Sequence, residues 1–254
     1  MAGGQIQIPP SLAWAAASAA PLPTGAAKEA VEVLGKRIAN DHYPQGSLMP
    51  TEPELAASLG VSRATVRDAV KVLSGKGLVR TARRYGTRVR PIEQWNLLDP
   101  DVITWHGSNH ARIAQMFSET TELRCIIEPA AAELAAIRAT EAQIEAVFDA
   151  ARTLHPVGED VAASFEADCL FHATILDATG NLMMRQLRPI ILAVLRLSHE
   201  MGVQVVDGEP MPRDGHLHVA EAIQRRDPAA ARDAMDKMLQ ANRRTAAAYW
   251  HRAG

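Results

Sequence analysis

The chain has 254 residues, 47% hydrophobic and 22% charged, with a formal net charge of −2. This is the composition of a folded protein with one large core or two ordinary ones, which excludes wholesale disorder and a collagen-like fibre. No apolar run reaches the roughly 18 residues of a membrane span, and the two cysteines, Cys125 and Cys169, are too few for a disulfide framework or a zinc ribbon and suit a reducing cytoplasm. An aromatic share of 4% favours helices over a β-sandwich.

Met1 to Ala27 is uncharged and rich in Ala, Gly and Pro. With no Lys or Arg before Lys28 it reads as a flexible tail rather than a signal peptide. Lys28 to Asp41 has Val31, Leu34 and Ile38 on one face and predicts a helix. Thr51-x-x-Glu54 has the form of a capping box opening a second helix, which buries Leu55 and Leu59 and stops at Gly60. Ser62 caps a third helix running to about Ser74, with Val66, Ala69, Val70 and Leu73 inward. Leu78–Thr81 and Thr87–Arg90 alternate as the arms of a hairpin. Residues 91–109 form a linker, too apolar at Trp95, Leu97 and Leu98 to lie free in water. The remainder is helical by pattern, at about 111–139, 140–154, 160–179, 182–201, 214–226 and 228–248, with no strand. An antiparallel helical bundle follows.

Charge divides along the same line. Residues 28–90 carry a net +6 and residues 91–254 a net −8, so polyanion binding is expected at the N-terminal end. Ser62, Arg63, Thr65, Arg67 and Lys71 project from the outer face of the third helix, as base- and phosphate-reading side chains do in a helix-turn-helix. The hairpin adds Arg80, Arg83, Arg84, Arg88 and Arg90 in eleven residues. An Arg-rich surface helix is the plain alternative.

The stretch Gly46-x-Leu48-x-Pro50-Thr51-Glu52-x-Glu54-Leu55-Ala56, with Leu59-Gly60-Val61-Ser62-Arg63-x-Thr65-Val66-Arg67-Asp68-Ala69, Gly77-Leu78-Val79 and Gly86-Thr87-x-Val89, resembles the winged helix-turn-helix of the GntR family of bacterial transcription regulators. The resemblance covers 28–90. It implies contact with double-stranded operator DNA by Arg63, Thr65 and Arg67, and approach of the wing tip (Arg83, Arg84, Tyr85, Gly86) to the minor groove. Pro53 stands where relatives often have a DNA-contacting Arg, and Arg84 where a wing glycine is usual.

In the acidic half, Asp168 and His172 lie at i and i+4 on one helix face, a spacing that serves a divalent transition metal or an ordinary surface ion pair. His216 and His218, at the start of a later helix, are the natural further donors. Glu122-Leu123-Arg124-x-x-x-Glu128-Pro129, Asp168-x-x-Phe171-His172, Gly180-Asn181, His216 and Glu221-Ala222-Ile223 resemble the all-helical FCD effector domain, over roughly 110–248. That resemblance implies a homodimer, metal ligands at Asp168, His172 and His216 (most simply for zinc), and an arginine, Arg124, aimed at a carboxylate effector. Arg196 and Arg244 are further effector candidates. The usual fourth ligand is replaced by Met238, a thioether poorly suited to zinc, leaving a position open to water or effector oxygens. The linker Gln94-Trp95-Asn96-x-Leu98-Asp99-x-Asp101-Val102-x-x-Trp105 is similar to that of the galactonate-operon repressors of this branch, implying a sugar acid such as galactonate or gluconate. The implied protein is a cytoplasmic, ligand-responsive repressor without a membrane partner. The alternatives are the same class of regulator responding to another organic acid, an amino acid or an acyl-CoA, and a metal-dependent enzyme with a DNA-binding appendage, against which stands the lack of an accompanying base or nucleophile.

Overall fold

In the computed structural model of the chain, Thr51 opens a helix by capping: its backbone N–H and hydroxyl donate to Glu54 Oε2 at 2.7 and 2.8 Å. The structure describes residues 22–107, 110–154, 161–200, 205–206, 209–210 and 214–253. Most of the expected N-terminal tail therefore lies outside the described residues. They divide into two units, 19–113 and 114–254.

The first unit contains α1 (Ala26–Ala39), α2 (Glu52–Leu59), α3 (Arg63–Gly75) and an antiparallel hairpin of β1 (Val79–Ala82) and β2 (Gly86–Val89). Helix α1 starts two residues inside the expected tail, after Gly25. Gly60 ends α2 in the left-handed region, and Ser62 Oγ accepts from Thr65 N at 3.1 Å to begin α3. Val31, Leu34, Ile38, Leu55, Val66, Ala69, Val70 and Leu73 form the core with Leu78, Val79 and Val89. Leu59 is only partly buried against it.

Residues 91–107 of the linker are structured within this unit. A 3-10 turn at Ile92–Gln94 precedes α4 (Pro100–Trp105), a helix the sequence reading did not anticipate. Asp99 caps α4, with Pro100 at its first position. Lys76 is buried and donates to Asp99 at 2.6 Å and Asp101 at 2.9 Å. Burial opposes its charge, but the two carboxylates outweigh that and raise its pKa. Trp95 donates to Arg90 O at 2.9 Å, and Trp105 lies against α1 at Gly35. A Cβ at Gly35 would stand 2.5 Å from the indole. The ring cannot yield as a flexible side chain does, so Gly35→Ala is expected to cost about 1–3 kcal/mol, read as a lowered denaturant midpoint. An unchanged midpoint would show that Trp105 does not hold this position.

The second unit continues α5 (His110–Arg138) and adds α6 (Glu141–Thr153), α7 (Val161–Ala178), α8 (Leu182–Arg185), α9 (Arg188–Glu200), α10 (Asp214–Gln224) and α11 (Pro228–Ala253). Helix α6 packs on α7 and α10, α7 on α9, and α10 on α11. Phe165, Phe171, Ile175, Val219, Ile223, Met235 and Leu239 fill the interior. The fold is mainly α, a winged helix-turn-helix followed by a helical bundle.

Two expectations are corrected here. The helix expected over 182–201 is broken into α8 and α9. Pro189 has no N–H to continue the preceding turn, so a new helix starts around it, with the proline in its first turn. The second half, expected to be without strands, contains a short antiparallel pair, Val205–Val206 with Glu209–Pro210. Two β-branched residues before an Asp-Gly dipeptide are a hairpin signal.

Candidate nucleic-acid interface and metal centre

The outer face of α3 presents Ser62, Arg63, Arg67 and Lys71 exposed, with Thr65 half-buried. Arg67 is steered by Glu52 on α2, Nη2 to Oε2 at 2.9 Å, and Lys71 by Asp68 at 3.0 Å. Both are surface pairs, weakly held in water and exchangeable for phosphate. At the wing, Arg83, Arg84, Tyr85 and Gly86 are exposed, Tyr85 at 79%. The register sets Arg80 directly opposite Arg88. Like charges facing across a strand pair destabilise a hairpin unless a counter-charge arrives. A polyanion would supply it. Arg88 also donates to the Gly46 carbonyl, which ties the wing back to the loop before α2.

Arg84 has φ 72 at the third position of a turn closed by Tyr85 N to Ala82 O at 3.0 Å. A positive φ there is the type II pattern that normally requires Gly, which gives the departure at Arg84 a backbone cost. Arg84→Gly is expected to stabilise the protein by up to about 1 kcal/mol, strain relief outweighing glycine's entropy, while weakening DNA binding uniformly across sequences. A lower Tm for this variant would refute that reading of the turn.

In the bundle, α7 carries Asp168 and His172 and α10 carries His216. Asp168 Oδ1 lies 3.5 Å from His172 Nε2 and 3.3 Å from His216 Nε2. One donor atom from each residue falls within 4.8 Å of the others. Ligand atoms bound tetrahedrally about 2.0–2.1 Å from zinc stand roughly 3.4 Å apart, so the trio fits such an ion from one side. His172 and His216 are buried and Asp168 half-buried, with the Phe171 ring edge-on to both imidazoles. Burial pushes the Asp168 pKa up, but the neighbouring imidazoles of His172 and His216 more than offset this and hold it well below the usual range. An anionic carboxylate beside two imidazoles is a borderline-to-hard donor set for a divalent transition metal.

His218, also proposed as a donor, is exposed and does not join the trio. Met238 is buried, and a Cβ at Gly215 would meet its Cγ at 2.7 Å, so the glycine before His216 makes room for this side chain. Burial pushes the Cys169 thiol up, leaving it a neutral packing group next to Asp168.

Arg124 is buried on α5 beside the trio. Its Nη2 lies 3.1 Å from His172 Nε2 and 3.5 Å from Nδ1. Both ring nitrogens are thus within hydrogen-bond reach of this guanidinium N–H. Its Nε donates to Glu128 at 2.5 Å, and its pKa rises, burial being outweighed by the Glu128 charge. Glu128 also accepts from His172 Nδ1. Burial raises the Glu128 pKa, but Arg124 and His172 bring it down to about 2. The sequence reading assigned Glu128 no role, although its i, i+4 spacing from Arg124 was a usable signal. Of the other arginines, Arg196 is half-buried on α9 and Arg244 is exposed on α11. Among the described residues no helix is long and apolar enough to cross a membrane.

The profile of bacterial regulatory proteins of the gntR family matches residues 26–89, and that of the FCD domain residues 119–241. The galactonate operon transcriptional repressor of Escherichia coli is 32% identical over 84% of this chain and 93% of its own length. The transcriptional repressor NanR of Citrobacter rodentium is 26% identical over 88% of this chain and 84% of its own. A solved structure of Lar, which controls expression of the Listeria monocytogenes agr system, shares the fold: TM-score 0.61 at 17% identity, covering 89% of this chain and 98% of that one. These curated relatives are transcription regulators rather than enzymes. The chain belongs to the GntR family of bacterial transcription regulators, with a DNA-binding winged helix-turn-helix at its N-terminal end and an FCD domain behind it.

Proposed function

We propose that the chain is a cytoplasmic, homodimeric repressor of a sugar-acid catabolic operon. Residues 28–90 read DNA, 91–109 link, and 110–248 bind the effector and dimerise. Ser62, Arg63, Thr65, Arg67 and Lys71 meet the major groove, and Arg83, Arg84, Tyr85 and Gly86 the adjacent minor groove. Asp168, His172 and His216 hold a divalent metal, most simply zinc. Arg124 receives the carboxylate of an aldonate such as galactonate or gluconate, with Arg196 and Arg244 as outer candidates. The observation that carries the DNA reading is the exposed arginine surface of α3 and the wing, including Arg80 set opposite Arg88.

The aldonate reading draws support from similarity to the galactonate operon repressor over 84% of the chain, and from a buried arginine next to three metal-type donors. A metal would supply Lewis-acid contact to effector oxygens at the position left by three protein ligands. The acid acts by binding one dimer geometry more tightly than another. Selection of random duplexes by the full-length protein should return a pseudo-palindrome with two half-sites, and D-galactonate or D-gluconate with zinc should release it in a mobility shift. Enrichment of no two-fold site removes the dimeric-repressor reading. Release by neither aldonate removes the sugar-acid reading alone.

A further inference from the structure

Glu128 sits almost wholly buried on α5 and lies outside the metal-type trio. Its two oxygens are divided between two partners: Oε1 accepts from Arg124 Nε at 2.5 Å and Oε2 accepts from His172 Nδ1. A carboxylate offers only lone pairs, so the hydrogen of that contact rides on Nδ1. A neutral ring then has its free lone pair on Nε2, the nitrogen 3.5 Å from Asp168 Oδ1. Arg124 Nη2 stands 3.1 Å from the same Nε2, and a guanidinium can only donate, so this contact too favours a lone pair there.

We propose that Glu128 is a positioning residue for the cation site: it selects the Nδ1–H form of His172, so that Nε2 is presented to a divalent metal. The same carboxylate holds Arg124 against the ring nitrogens. One buried side chain thereby orients both the metal-type histidine and the arginine assigned to the effector. The inference rests on the metal reading given above. Carboxylates that orient a ligating histidine through its second nitrogen commonly change metal affinity 10–100-fold when removed.

The test uses full-length protein, zinc as the probe and two readouts. Chelator competition gives zinc affinity, and long-range proton–nitrogen NMR of the metal-free protein at alkaline pH identifies the His172 tautomer. In the Glu128→Gln variant one amide oxygen must serve two donors. Its zinc affinity should fall by about 10- to 100-fold, and His172 should lose its pure Nδ1–H signature. Should Glu128→Gln leave Arg124 buried without its counter-charge and unfold, the double variant Arg124→Leu with Glu128→Met removes both charges together and should show the same two changes. Wild-type zinc affinity in a folded variant overturns the proposal. So does a loss of affinity with His172 still in the Nδ1–H form, since that is a structural effect only. Asp168→Ala separates the premises: if it too binds zinc like the wild type, the metal reading fails, whereas weakened binding there alone sinks only the role of Glu128.

Discussion

Arg63→Ala is expected to lower affinity for the selected operator about 10- to 100-fold per half-site at fixed salt, since one bidentate base contact is lost in each. Arg63 is the first residue of α3 and is exposed, at the end of a recognition helix that meets base edges. Its removal should also relax sequence preference at one position in each half-site. Lys71→Ala serves as the contrast: loss of a phosphate contact should weaken all sequences alike and reduce the salt slope by about one per half-site. Arg67 is an intermediate case, because Glu52 holds it in the free protein and DNA must displace that partner. Fluorescence anisotropy on matched and scrambled duplexes across a salt series distinguishes these roles. Unchanged affinity and unchanged preference for Arg63→Ala would mean that α3 is not the reading helix.

The second large effect is expected from Asp168→Ala combined with His172→Ala, which should abolish release of DNA by ligand while leaving DNA affinity within about twofold. The substitutions remove two of three donors and leave Arg124 paired with Glu128, so no buried charge is stranded. Zinc should raise the Tm of the wild type by mass action, and this shift should vanish in the variant. Release that persists in the variant, or a zinc-dependent Tm that survives, contradicts the assignment of this trio.

What could be read in the sequence was mostly local. The capping residues Thr51, Ser62 and Thr140 announce helices because each bonds within three residues of itself, and all three do so in the structure. Asp168 and His172 share one helical face by spacing alone. His216 was named as a natural further donor together with His218, but only the resemblance matched it to the pair, since no local pattern says that α10 will meet α7. Glu128 was missed as a site residue for the same reason: its contact with His172 spans 44 positions. Helix α4 shows a signal present but undervalued. Asp99-Pro100 is the same cap-and-proline pair as Asp227-Pro228, yet α4 has only six residues and depends on Lys76 and on Trp105 for its place.

The burial of Lys76 has a practical corollary for dissecting this protein. The cation is satisfied by two carboxylates that come after β2, Asp99 and Asp101. A fragment cut after Arg90 would keep the lysine and lose both of its counter-ions, along with the indoles of Trp95 and Trp105 that close the core. Such a fragment would open water onto the foot of the recognition helix. A piece ending near Gly107 carries its own lid, and is the shorter form to express when the reading head is to be studied alone.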